Sequence, residues 1–328
     1  KLYNRLSLQE VKDYMAFTVL NSAASYLSDE FYEAKFDFYG RTLSGQQEPR
    51  LRWKRSLATT DAVLSEALGE IYVKKYFPQE SKNRMLKLVA NLQKALQQHI
   101  EHLDWMSEKT KARALEKLAA ITVKIGYPDK WRDYTALEIS PEKSYWENLK
   151  NASKFETAYM LEKVGKEVDK SIWYMSPQTV NAYYNPTTNE ICFPAGILQP
   201  PFFYADADDA VNYGAIGVVI GHEMTHGFDD MGRQFDKDGN LSDWWTSEDT
   251  RQFNLRADIL ADQYSSIIVI DTVHADGRFT LGENIADQGG LRVAYTAFEN
   301  ATEGEKLPII DGFTPEQRFY LAYANLWA

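Results

Sequence analysis

Residues 215–226 read Ala-Ile-Gly-Val-Val-Ile-Gly-His-Glu-Met-Thr-His. The first seven are apolar or small and read as one buried helix, continuing from about Asp209 to about Phe228. Two imidazoles and a carboxylate then follow on the same helix. Residues four apart share a helical face, so His222 and His226 can reach one point, with Glu223 beside them. Polar groups in such a place are costly unless partnered. At typical frequencies of about 2% His and 6% Glu, the pentapeptide arises by chance in roughly 1% of chains this long, so its weight comes from the apolar helix that carries it. Imidazole nitrogen suits Zn²⁺, and a catalytic zinc takes three protein ligands and keeps one position open. Glu223 then projects toward that position as a general base.

A third ligand must come from elsewhere. Gly282-Glu-Asn-Ile-Ala-Asp287 puts Glu283 and Asp287 four apart on a second helix, expected over about 282–300. One carboxylate can bind the ion while the other accepts a hydrogen bond from a ligand histidine and fixes its tautomer. The same pair also suits a plain helix N-terminus, where acids complement the dipole. His99 and His102 fall in a helical stretch and read as surface or interface residues. His274, in Val-His-Ala-Asp-Gly, reads as part of a turn.

A formal net charge of −11 disfavours a nucleic-acid partner. No apolar run approaches the roughly 20 residues that span a bilayer. A single cysteine, Cys192, excludes an intrachain disulfide. At 328 residues the chain has room for two domains. Up to about residue 120 it reads as helices. Ser7-Leu-Gln-Glu10 is a capping box, and helical periodicity recurs over roughly 52–76, 82–104 and 107–120. Gly126, Pro128 and Pro141 interrupt it, which predicts a helical domain over 1–125, an interdomain connection over 126–146 and a second domain over 147–328. In the second, strands are expected over 178–184 and 190–193 with a turn at 185–189, and further helices over about 147–165, 247–264 and from Thr314 toward Trp327.

Five segments carry a resemblance: Val180-Asn-Ala-Tyr-Tyr-Asn-Pro186, Phe193-Pro-Ala-Gly-Ile-Leu-Gln-Pro-Pro-Phe202, Asn212-Tyr-Gly-Ala-Ile-Gly, Gly221-His-Glu-Met-Thr-His-Gly-Phe-Asp-Asp230 and Gly282-Glu-Asn-Ile-Ala-Asp. In their order and spacing they resemble the M13 zinc peptidases, the group of neprilysin, endothelin-converting enzyme and the bacterial PepO oligopeptidases. The match is dense over about 170–300.

The resemblance implies a mainly α (α+β) protein. A thermolysin-like (gluzincin) catalytic domain with a small β-sheet would carry one Zn²⁺, and a helical cap domain would restrict access to peptides. It implies a zinc metalloendopeptidase acting on oligopeptides, with His222, His226 and Glu283 as ligands, Glu223 as the base and Asp287 as partner of a ligand histidine. It implies that Asn181 and Ala182 hold the substrate backbone, as in strand addition, and that Phe202, Val218, Val219 and Trp327 form a hydrophobic substrate pocket. The family has a catalytic histidine and arginine beyond the segment matching Ala322–Ala328, so the sequence reads as truncated at both ends. Loss of such an oxyanion donor typically lowers rate by about 10²–10³, which leaves a catalytically impaired zinc-binding fragment, or a non-enzymatic peptide-binding protein, as the alternative. An extracytoplasmic and bacterial setting is expected, with peptides as partners and no membrane segment in the chain.

Overall fold

The structure, a computed structural model, describes residues 5–328, so residues 1–4 of the expected helical domain lie outside it. The chain divides into two compact units, residues 1–67 with 132–167, and residues 68–131 with 168–328.

The first unit is helical, with α1 (Leu8–Ala23), α2 (Asp29–Lys35) and α3 (Arg52–Val63). The Ser7 hydroxyl and the Glu10 carboxylate cap α1 reciprocally, as the sequence predicts. The single helix expected over 52–76 is broken at Leu64, after which α4 (Ser65–Tyr76) begins.

The second unit takes in α4 from Leu68 onward and continues with α5 (Gln79–Glu101). Met85, Leu88, Val89, Leu92, Ala95 and Leu96 recur three or four apart along α5 and are all buried. A buried Leu such as Leu92 contributes roughly 1.5–3 kcal/mol through removal from water. α6 (Glu108–Ala119) follows and runs into β1 (Thr122–Gly126). In the 132–167 excursion to the first unit, α7 (Tyr145–Leu161) carries a capping box from Ser144 and Glu147.

On return, β2 (Tyr183–Asn185) and β3 (Glu190–Pro194) complete a sheet ordered β1-β3-β2. β1 runs parallel to β3, and β2 pairs antiparallel to β3, so β2 is an edge. The expected turn joins β2 to β3, with Asn189 at φ 49°. The long strand expected over 178–184 is shorter at its start: Thr179 donates its N–H to the Ser176 carbonyl in a turn instead of to a ladder.

One continuous helical run follows. It comprises α8 (Asp209–Asn212), a π-helical stretch over Tyr213–Gly217, and α9 (Val218–His226). The Asp208 side chain caps it by accepting from the Val211 N–H. Then come α10 (Ser247–Ser265), the short strands β4 (Ile268–Ile270) and β5 (Val273–His274), α11 (Leu281–Ala301) and α12 (Pro315–Asn325). His274, expected in a turn, lies in β5 and is exposed.

The sequence reading placed one boundary at 126–146, whereas the two units interleave. α5 packs with α6, α9, α11 and β1, and 132–167 belongs with the N-terminal helices. The reason is physical: β1 hydrogen-bonds along β3, and the apolar stripe of α5 lies on α11. Cys192 is buried in β3. Among the described residues no helix is long and apolar enough to cross a membrane.

Candidate metal centre

α9 and α11 bring the sequence-predicted residues together because glycines let the helices touch. A Cβ on Gly290 would lie 2.6 Å from the His222 backbone nitrogen and 2.7 Å from the Val218 carbonyl oxygen. A Cβ on Gly221 would lie 2.8 Å from the Gly290 carbonyl, and one on Gly289 would meet the Thr225 side chain at 2.6 Å. Any side chain at this crossing would move α11, and with it Glu283 and Asp287, away from the histidines. The π-helical stretch entering α9 is a local irregularity of a kind common beside functional sites.

The imidazoles of His222 and His226 sit one turn apart, with Nε2 atoms 3.0 Å apart. A Glu283 carboxylate oxygen lies 3.3 Å from Nε2 of His222 and 3.6 Å from Nε2 of His226. The opposite ring nitrogens diverge. Nδ1 of His222 donates to Asp287 at 2.9 Å, and Nδ1 of His226 donates to Asp229 at 2.7 Å. Each carboxylate places its proton on Nδ1, leaving the Nε2 lone pair free. Two such lone pairs and a carboxylate oxygen therefore face one point. A tetrahedral zinc with bonds of about 2.0–2.1 Å needs ligand atoms about 3.3–3.4 Å apart. The three separations bracket that value, so the donor set fits a zinc ion. Two nitrogens and one carboxylate oxygen also match the donor types that zinc takes in catalytic sites.

Glu223 projects from the same helix and is buried, at 7% exposure. Burial raises its pKa, against the two imidazoles and the Tyr184 backbone N–H, which favour its charged form. For His226, burial lowers the pKa, but the Asp229 hydrogen bond and the nearby carboxylates outweigh it and the net shift is upward. Carboxylates crowd this region: Glu223, Asp229, Asp230, Glu283 and Asp287 surround two histidines, a charge balance that favours a cation.

The centre opens on a cleft of about 580 Å³ whose walls include Asn181, Ala182, Tyr184, Glu223, Asp230 and Glu283. Asn181 is exposed and Ala182 buried, just ahead of the edge strand β2. The Ala182 N–H is held by the Asn181 side-chain oxygen at 2.9 Å. Phe202, Val219 and Trp327 are not among the residues lining the cleft. Phe202 and Val219 pack on the hydrophobic core beside the buried Val218. Trp327 is 68% exposed and meets Tyr323 edge-on. The remaining histidines lie outside the donor cluster. His99 pairs with Thr296, His102 with the Gln98 carbonyl and His274 with the Ser265 carbonyl.

Sequence reasoning missed Asp229. Its second oxygen accepts from the N–H groups of Met231 and Gly232, at 2.9 and 2.6 Å, which fixes the carboxylate toward His226. The signal was present, since Asp229 stands three residues after His226, a spacing that brings side chains together at a helix end.

A family model described as Peptidase family M13 matches residues 181–328, and a second model of the same family matches residues 1–128. The chain is 38% identical over 339 residues to neprilysin-11 of Caenorhabditis elegans, covering 100% of this chain and 40% of that protein. It is 39% identical over 301 residues to a neutral endopeptidase of Lactobacillus helveticus, covering 92% of this chain and 46% of that protein. It superposes with a TM-score of 0.93, at 43% identity, on the crystal structure of the Mycobacterium tuberculosis zinc metalloprotease ZMP1 in complex with an inhibitor, covering 99% of this chain and 50% of that one. The chain thus spans less than half the length of these curated relatives. Its fold is mainly α with a small sheet, of the thermolysin-like type, as expected.

Proposed function

The chain belongs to peptidase family M13, and from that premise we propose that it carries the zinc centre of an endopeptidase that hydrolyses oligopeptides. The convergence of His222, His226 and Glu283 on one point carries this reading. In it those three residues are the ligands. Asp287 and Asp229 hold the Nδ1 protons and so keep both Nε2 atoms free to bind. When bound, zinc supplies Lewis acidity, drawing charge from the scissile carbonyl and lowering the pKa of a water to about 7.

Glu223 is the base in this reading. Its carboxylate takes a proton from the attacking water and returns it to the leaving amine nitrogen. Burial favours the first half of that exchange, because a carboxylate with a raised pKa takes up a proton more readily. Among the described residues β2 has no strand neighbour on its outer side, where an extended peptide would add. In adding there, the substrate would compete with Asn181 for the Ala182 N–H, leaving the Asn181 amide free to bind the peptide backbone. The finer expectation of an extracytoplasmic setting is supported by the family resemblance, and cell fractionation checks it.

The test is a quenched fluorescent peptide with a blocked N-terminus, assayed with and without chelator. Chelator-sensitive cleavage at an internal bond, with the readded zinc restoring it, is expected. Glu223→Gln should keep zinc and lose hydrolysis. Unchanged hydrolysis in that variant would remove Glu223 from the mechanism.

A further inference from the structure

Lys117 lies on the buried face of α6, in register with Thr110, Ala114 and Leu118. It is 1% exposed, although lysine is almost never buried without partners. Its ammonium donates to three backbone carbonyls, those of Gly227, Gly232 and Phe235, each at 2.7 Å. An ammonium has three N–H donors, and all three are used.

The three acceptors belong to one segment. Gly227 is the C-cap of α9, one residue past His226, so Lys117 also places a cation at the negative end of that helix. Gly232 and Phe235 lie beyond Asp229 and flank the next turn. Lys117 thus ties down the chain on both sides of Asp229, the residue that holds His226 Nδ1. The rings of Tyr184, Phe228 and Trp244 stand 5.7–5.9 Å from the ammonium, and the Trp244 indole N–H donates to the same Phe235 carbonyl. The Lys117 carbonyl itself accepts from the Asn189 amide, whose oxygen takes the Tyr184 hydroxyl. Tyr184 lies in the edge strand whose N–H reaches Glu223. Burial draws the ammonium's pKa down to about 8, with Asp229 and Asp236 opposing the shift, so it remains mostly charged at neutral pH.

We propose that Lys117 is a positioning residue of the metal centre. It pins the 227–235 segment so that Asp229 meets His226 at the right place before any ion arrives. No pattern of metal-ligand spacing would assign it this role, since it stands more than a hundred positions earlier in a different helix. The proposal rests on the zinc reading above.

The experiment compares zinc dissociation constants, measured by competition with a chromophoric chelator, for the wild type, Lys117→Met and Thr110→Val. The last loosens the same helix at its Asp249 anchor, about two turns earlier. Lys117→Met is expected to weaken zinc binding by about 10–100-fold, and to lose the low-field Nδ1–H proton resonance of His226 in the metal-free protein. Thr110→Val is expected to melt earlier yet bind zinc as the wild type does. Equal zinc affinity in Lys117→Met and wild type, or equal weakening in Thr110→Val, would overturn the proposal while leaving the zinc reading intact. A wild type that takes up no zinc would sink both.

Should Lys117→Met not fold, amide exchange in the metal-free wild type decides. Protection of the Met231 and Gly232 amides, which donate to Asp229, is expected without metal. Protection that appears only on adding zinc would show that the ion, and not Lys117, organises the segment.

Discussion

Nε2 of His222 and Nε2 of His226 face each other at 3.0 Å, while the Nδ1 atoms of the same rings turn outward to Asp287 and Asp229. The outward bonds decide what the inward atoms can do. A carboxylate on Nδ1 leaves a lone pair on Nε2, and two such lone pairs so close together are held apart by repulsion unless a cation sits between them.

Asp229→Asn and Asp287→Asn should each weaken zinc binding by about 10–100-fold, because an amide can present its NH₂ to Nδ1 and favour the wrong tautomer. Asp229 is the more buried of the two and also holds two backbone amides, so its variant should lose thermal stability as well. Zinc competition titrations with parallel melting curves check both. Affinities equal to wild type in the two variants would contradict the tautomer argument.

Gly290→Ala should destabilise the protein by about 1–3 kcal/mol, the usual range for overpacking. The added methyl meets the backbone of α9 at His222 and Val218, with no flexible side chain to yield. The same displacement should weaken zinc binding, since Glu283 and Asp287 ride on α11. Denaturant unfolding of the zinc-free protein separates the stability effect from the metal effect.

Asp249 should make the fold acid-sensitive. Burial pushes its carboxyl up, but hydrogen bonds from Ser107, Thr110 and Thr246 outweigh that and hold it at about 2. A carboxyl whose folded pKa lies below its unfolded value stabilises fully above the unfolded value and loses that contribution as pH falls through the folded one. The window is therefore from about pH 4 down to about 2, and the contribution is on the order of 2 kcal/mol. Asp249→Asn should be less stable than wild type at pH 7 and should converge with it near pH 2. Parallel curves across that range would remove Asp249 as the cause.

Leu92→Ala should cost about 2–5 kcal/mol, since the side chain is fully buried in the stripe of α5. Chemical denaturation measures this directly.

The helices were legible because their apolar spacing is local. The α5 stripe and the Ser7–Glu10 capping box can be read within one or two turns. The His-Glu-Met-Thr-His segment was legible for the same reason, and its third donor was reachable through the i, i+4 pair Glu283 and Asp287. β1 was not legible. It is five residues long, and its parallel partner β3 comes after the whole 132–167 excursion. Parallel pairing leaves no hairpin signal. The interleaving of the two units was not legible for a related reason, since glycine and proline mark where a chain bends and not which segments pack together. Lys117 stayed hidden because its partners are backbone carbonyls, which every residue carries, so no side-chain pattern announces them.

Anomalous scattering at the zinc absorption edge, collected on crystals grown with zinc, tests the central claim most directly. The account predicts one strong peak per chain about 2.0–2.2 Å from Nε2 of His222, Nε2 of His226 and a Glu283 oxygen. A peak placed on other side chains, or zinc held with Glu283 turned away from it, would contradict it.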